Sequence, residues 1–282
     1  MDFFITPFTS NEFMLRALAA GTLVSVACAM VGTFVVLRGL SFIGDALAHG
    51  VLPGIAIAVL LGAPGWIGAV VGSLVMIGGI SLITNRSRLS SDTAIGLLFV
   101  GMLALGVVIV SRSDAFTGDL VRVLFGEMLG VSNEVLLAQL TATVAVGLTA
   151  WICARPFLLL SFSPEQAQVA GFPAQRFHMV MLALIALMVI VSFQTVGTLL
   201  VFGMLIAPSG AAALIARRIS RMMLLAAVFG SLSVYVGLLA SYHLNIAAGA
   251  SIVLVTTIWF FVVFTVQNIR WQRQPRGELH SS

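Results

Sequence analysis

Within the stretch Ser41-Phe42-Ile43-Gly44-Asp45-Ala46-Leu47-Ala48-His49-Gly50-Val51-Leu52-Pro53-Gly54, an aspartate and a histidine stand four residues apart. On a helix that spacing puts both side chains on one face, with β-carbons roughly 6 Å apart. Carboxylate and imidazole are ligands for divalent zinc, manganese and iron(II), and such a pair can also relay protons. The surrounding residues are apolar, so both groups lie in or beside a membrane span. An aspartate at the centre of such a span costs on the order of 2.5–3.5 kcal/mol, which is why it usually faces a pathway or a partner. Two readings stand side by side: a metal or proton pathway, or Asp45 as the cap of a helix Ala46–Leu60, bonded to His49 near the cytoplasmic interface. One chain supplies two ligands; a twofold pair of chains supplies four, a tetrahedral count. Gly50, Pro53 and Gly54 predict a kink that frees backbone groups at the same depth.

A second pattern runs through Phe162-Ser163-Pro164-Glu165-Gln166-Ala167-Gln168-Val169-Ala170-Gly171-Phe172-Pro173. Ser163 fits an N-cap, Pro164 the first helical position and Gln166 the reciprocal capping partner. Gly171 fits the C-terminal stop, with Pro173 beyond it. So short a helix is not stable alone in water. It therefore rests either on the protein's own cytoplasmic surface or against a partner. Weaker candidates are Asp92, read as the N-cap of a span; His178, placed at an interface; and His243 with Asn245, at the outer mouth of a span. Pro208 is expected to kink or end its helix.

The elements that must position these groups follow from composition. Of 282 residues, 60% are hydrophobic and 9% charged, with a mean hydropathy of +1.13. Soluble domains carry about 25% charged residues, so a soluble enzyme is excluded. The apolar stretches are continuous rather than alternating, which excludes an outer-membrane barrel and predicts an all-α, polytopic helical membrane protein. All fourteen basic residues are arginine. Without lysine the chain cannot form an ATP-hydrolysing P-loop. Cys28 and Cys153 fall in apolar segments and read as packing residues. The net charge of +4 reflects topology rather than nucleic-acid binding. The N-terminus has neither a basic region nor a small-residue cleavage site, so no cleaved signal peptide is expected.

Uncharged blocks occupy Ala17–Leu37, Gly50–Asn85, Thr93–Ser111, Val135–Ala154, Met179–Ala216, Met222–Tyr242 and Leu244–Ile269. Two are too long for one crossing. Gly62-Ala63-Pro64-Gly65 divides the first and Phe193-Gln194-Thr195-Val196-Gly197 the second. The expected count is about nine spans, or eight if one segment only re-enters. With nine, Arg38, Arg86, Arg88, Arg155, Arg176, Arg217, Arg218, Arg221, Arg270, Arg273 and Arg276 share one side, against Arg16, Arg112 and Arg122 on the other. The positive-inside rule makes the first side cytoplasmic, with the N-terminus outside and the C-terminus inside. Asp2, Glu12, Asp114, Asp119, Glu127 and Glu134 then form an acidic outer rim. The chain reads as one transmembrane unit over 1–282, with a cytoplasmic loop at 161–173 and a cytoplasmic tail at 270–282.

Taken together, the first motif from Leu37 to Gly54, then Asp92-Thr93-Ala94-Ile95-Gly96, Leu124-Phe125-Gly126, the Ser161–Gly171 loop, Val196-Gly197-Thr198-Leu199-Leu200, Leu205-Ile206-Ala207-Pro208, Ser241-Tyr242 and Gly249-Ala250 resemble the metal-type ABC transporter permeases. These are the membrane subunits of bacterial zinc, manganese and iron(II) uptake systems. The resemblance runs from about residue 12 to 268. It implies a type-II-importer-like homodimer in the bacterial inner membrane, with separate cytoplasmic ATPase subunits and an extracytoplasmic metal-binding protein. It makes Ser163, Pro164, Glu165, Gln166, Ala167 and Gly171 the coupling helix, and puts Asp45 and His49 on the path of the metal. On this reading the chain is not an enzyme and holds no permanent cofactor. It works among membrane lipids and contacts no nucleic acid. The sequence departs from the family at Ser163, where aspartate is usual, at Gly50, where alanine is, and at Asn245 and Ala247, where aspartate and proline are common. Alternatives are a permease for a metal chelate such as a siderophore or cobalamin, or a proton-coupled secondary metal transporter. The latter predicts an inverted internal repeat, which is not visible.

Overall fold

The computed structural model describes residues 2–40, 42–111 and 128–272, and every regular element among them is helical. Ser41, Arg112, Asp114, Asp119, Arg122, the Leu124-Phe125-Gly126 motif, Glu127, Arg273 and Arg276 lie outside the described residues. In chain order the helices are α1 (Asp2–Ser10), α2 (Glu12–Leu37), α3 (Ile43–Gly50), α4 (Leu52–Leu60), α5 (Gly65–Arg86), α6 (Ser91–Val110), α7 (Asn133–Ile152), α8 (Ala154–Phe162), α9 (Pro164–Val169), α10 (Ala174–Val196), α11 (Thr198–Ile215), α12 (Ile219–Leu244) and α13 (Ala248–Gln272). A 3-10 turn, Met128–Gly130, precedes α7.

Among the described residues eight segments are long and apolar enough to cross a bilayer, α3 and α4 counting together as Ile43–Leu60, and Leu200–Ile215 within α11 is a shorter ninth. The two overlong apolar blocks divide where the turn residues stand. Gly62 (φ 70°) separates α4 from α5, and Gly197 (φ 76°) separates α10 from α11. Both occupy the left-handed region that L side chains avoid. Pro208, expected to kink or end its span, does not end it: α11 continues to Ile215. The neighbouring turns of a packed apolar bundle hold the helix together past the lost hydrogen bond.

One helix organises the bundle. α2 packs against α7, α11 and α12, and its residues Ala17, Val24, Ala27, Cys28, Val31 and Phe34 are essentially inaccessible. Small residues permit the close approach. A β-carbon at Gly32 would collide with the Leu205 carbonyl of α11, and one at Gly54 of α4 with the Gly68 carbonyl of α5. Both cysteines are free, as the packing reading requires. Some polar groups inside the bundle bond across helices. Gln139 of α7, 1% exposed, donates to the Ser192 hydroxyl of α10 at 3.3 Å, and Thr143 donates to the Leu23 carbonyl.

Candidate functional site

Asp45 and His49 lie on α3, the half of a broken span that runs into the bundle from the end of α2. Six of its eight residues, Ile43, Gly44, Ala46, Leu47, Ala48 and Gly50, are buried. The two that remain half-open are Asp45 and His49. The helix is small enough to sink among its neighbours: a β-carbon at Gly44 would meet the Leu205 side chain of α11 at 2.7 Å, and one at Gly50 the Met76 side chain of α5 at 2.5 Å. One face is consumed by packing, and the i, i+4 spacing turns the acid and the imidazole to the other.

On that face His49 Nε2 lies 3.3 Å from Asp45 Oδ1, with the side chains 19% and 29% exposed. When Nε2 carries the proton to Asp45, Nδ1 carries a lone pair, and Nδ1 is buried without a hydrogen-bond partner. A buried lone pair without a donor is costly. The imidazole ring lies 5.7 Å from the Phe99 ring of α6. Phe99 is eight residues into that helix from Ser91, which places His49 about 12 Å along the α6 axis from its end. The pair therefore sits inside the span.

Asp45 is not a helix cap. α3 begins at Ile43, its N-cap position is Phe42, and no side chain caps it. Asp45 is the third helical residue and contacts His49, so of the second reading the cap is corrected and the contact with His49 stands. A local turn at Leu40, whose side chain is buried, starts the helix early, through the Ile43 amide bonding the Leu40 carbonyl at 3.1 Å. Asp92 is corrected in the same way. The cap of α6 is Ser90, whose hydroxyl accepts from the Thr93 amide at 3.2 Å, and Asp92 stands in the first turn, where a negative charge suits the helix dipole. Ser90, three residues before Thr93, carried that capping signal in the sequence. The expected break is present: α3 ends at Gly50 and α4 begins at Leu52. Pro53, four residues after His49, cannot donate to the His49 carbonyl.

The cytoplasmic-loop helix forms as α9. The Ser163 hydroxyl accepts from the Gln166 amide at 3.4 Å, Pro164 opens the helix, and the backbone of Ser163 is extended. The reciprocal half of the capping box is not made, because the Ser163 amide already donates to the Leu159 carbonyl at 3.0 Å. At the other end Gly171 takes φ 83°. The Phe172 amide bonds the Ala167 carbonyl at 2.9 Å and the Gly171 amide the Gln168 carbonyl at 3.0 Å, which is the Schellman closure. Ala167 is fully buried, whereas Glu165 and Gln166 are exposed. Two apolar side chains that sequence reasoning passed over flank the helix in the open: Phe162 is 77% exposed and Val169 91%.

His243 stands in the last turn of α12 and Asn245 just beyond it, and both are exposed. His243 meets the Tyr242 ring edge to face at 5.3 Å. Asn245 stops α12 in the left-handed conformation, φ 53° and ψ 43°, a position that asparagine tolerates well. Among the described residues no three His, Cys, Asp or Glu side chains converge on one point. His178, expected at the interface, instead turns inward: its Nδ1 lies 2.9 Å from Arg38 Nη1. Burial lowers the proton affinity of Arg38. The two residues are 140 apart in sequence, and no local signal pairs them.

Fold and site together define a polytopic helical transport protein with an intramembrane acid–imidazole pair and a short capped helix at one face. The family described as the ABC 3 transport family matches residues 10–267, and the chain belongs to it. Among its relatives, the manganese transport system membrane protein MntC of Halalkalibacterium halodurans is 38% identical over 264 residues, covering 94% of this chain and 90% of the relative. The chelated iron transport system membrane protein YfeD of Yersinia pestis is 36% identical, covering 92% and 86%. In three dimensions the chain is similar to PsaBC from Streptococcus pneumoniae, solved in complex with Fab. The TM-score is 0.82 at 35% identity, over 93% of this chain and 94% of that one.

Proposed function

We propose that this chain is the membrane permease subunit of an ABC importer that moves manganese(II) or iron(II) inward, with ATP hydrolysed by separate subunits. The observation that carries the reading is the Asp45–His49 pair, 3.3 Å apart inside a span and both half-open on a helix otherwise buried. Oxygen and nitrogen donors suit both metals. The names of the relatives favour manganese or iron over zinc. Two ligands per chain hold a dication loosely enough to release it, and a homodimer brings two such pairs together. A chelate already wrapped in its own ligands has no use for the pair. The deciding experiment reconstitutes the permease with its ATPase and binding protein and compares ATPase stimulation by manganese(II), iron(II) and zinc(II). Stimulation by manganese or iron supports the assignment; stimulation by zinc alone redirects the cargo, and stimulation by none removes the reading.

The ATPase docks on α9 and the Ser161–Pro173 loop. Exposed Phe162 and Val169 would supply its apolar anchors, as buried centres of interfaces commonly do. Val169→Asp should leave the permease folded, because Val169 touches little, yet reduce ATPase co-purification at least tenfold. Ala167→Pro, which deletes the amide that bonds the Ser163 carbonyl at 3.2 Å, should do the same by breaking the helix. Full ATPase retention by both variants would show that the docking surface lies elsewhere.

The orientation follows from the arginines: N-terminus outside, C-terminus and the 270–282 tail in the cytoplasm, the chain acting as one permease unit in the inner membrane. The outer carboxylates would raise the local dication concentration, although Glu12 is already paired with Arg16 at 2.7 Å. A cysteine beside Arg86 should be labelled by an impermeant reagent only from the cytoplasmic side, and one beside Asp119 only from outside. The reverse labelling inverts the topology.

A further inference from the structure

The Arg38–His178 contact lies outside the metal pair, and the reading above does not use it. Arg38 is the residue that closes α2. Its Nη1 reaches His178 Nδ1 at 2.9 Å and Met181 Sδ at 3.7 Å, and no carboxylate pairs with it among the described residues. A guanidinium only donates, so His178 Nδ1 accepts and the ring carries its proton on Nε2. The bond ties the first turns of α10 to the end of α2.

Each side of this bond continues into one of the two functional elements. On one side, Phe177 meets Phe172 edge to face at 5.6 Å, and the Phe172 amide closes α9 on the Ala167 carbonyl. On the other, the chain turns tightly: the Gly39 amide bonds Val36, the Leu40 amide bonds Val35, and the Ile43 amide bonds Leu40, each at 3.1 Å. Leu40 is 7% exposed and Ile43 fully buried, so this turn is anchored. Asp45 lies seven residues after Arg38. An unbroken series of contacts thus joins Ala167 of α9 to Asp45 of α3, and it crosses between distant parts of the chain at the Arg38–His178 bond.

We propose that the Arg38–His178 hydrogen bond is the joint through which movement of α9 reaches the helix bearing Asp45 and His49. Both are positioning residues; neither touches the metal. The inference rests on the reading of α9 as the ATPase dock and of Asp45–His49 as the metal site. A joint of this kind transmits a displacement only while the acceptor stands at the Nδ1 position. Asparagine places an oxygen close to that position, glutamine places it near Nε2, and leucine removes it.

The test uses the complete complex with its ATPase and binding protein in proteoliposomes, supplied with manganese(II), and measures metal transported per ATP hydrolysed. His178→Leu and Arg38→Met should each lower that ratio tenfold or more while ATPase association and basal hydrolysis persist. His178→Asn should retain at least half of it, and His178→Gln should behave like the leucine variant. The double variant Arg38→Met/His178→Leu should be no worse than either single one, because both remove the same bond. An unchanged ratio in His178→Leu overturns the joint, as does equal loss in the asparagine and leucine variants, which would mark a packing role. If His178→Leu does not fold, the Arg38→Met and asparagine–glutamine comparisons decide. Wild-type complex that transports neither manganese(II) nor, supplied in its place, iron(II) refutes the underlying function rather than the joint.

Discussion

Asp45→Asn should reduce metal uptake by roughly 100-fold or more, since even residues that only support a metal ligand cost 10–100-fold when changed. The amide keeps the shape of the side chain and its bond to His49, and it caps helices about as well as a carboxylate does. Only the negative charge is lost. His49→Ala should impair uptake strongly but less completely, because it removes a neutral ligand and leaves the anion. Both variants should insert, assemble and bind the ATPase, as α3 holds its place through Ile43, Gly44, Ala46, Leu47, Ala48 and Gly50. Uptake of manganese(II) or iron(II) in cells expressing each variant at matched levels is the measurement. Near-wild-type uptake by Asp45→Asn would falsify the metal-path assignment.

The largest effect on stability is expected at Gly54→Val. The β-carbon would fall on the Gly68 carbonyl and lie 3.0 Å from the Gly72 nitrogen. Those are backbone atoms, and no rotamer change clears them. Overpacking a core costs typically 1–3 kcal/mol where side chains can yield, so a backbone collision should exceed about 3 kcal/mol. Gly54 lies within the first turn of α4, just past the break after His49, and separating α4 from α5 should disturb the Asp45–His49 pair as well. Gly78→Ala on α5 is the control. Nothing lies within 4 Å of its β-carbon, and removing a mid-helix glycine should stabilise by about 0.5–1 kcal/mol. Thermal unfolding of detergent-solubilised protein compares the two; a Gly54→Val protein as stable as wild type would show that α4 and α5 can part without cost.

Much of this protein was legible from residue order alone, because a bilayer leaves the backbone few choices. An uninterrupted apolar run must become a helix that satisfies its own amides, so the spans and the breaks at Gly62 and Gly197 follow from hydropathy and turn residues. Local chemistry was legible for the same reason: the Ser163 cap, the Gly171 stop and the shared face of Asp45 and His49 each depend on contacts within a few residues. Three things required the tertiary structure. The role of Asp45 turned on where α3 begins, and that is set by the Leu40 turn, held in place by burial of Leu40 and Ile43 in the bundle, rather than by a side-chain cap. The depth of the pair turned on Phe99 of another helix. The Arg38–His178 bond joins residues 140 positions apart, and nothing in a span's own sequence records which neighbour it will pack against. Periodicity and capping are short-range properties of the chain, whereas burial, depth and the partner of a buried cation belong to the packed bundle.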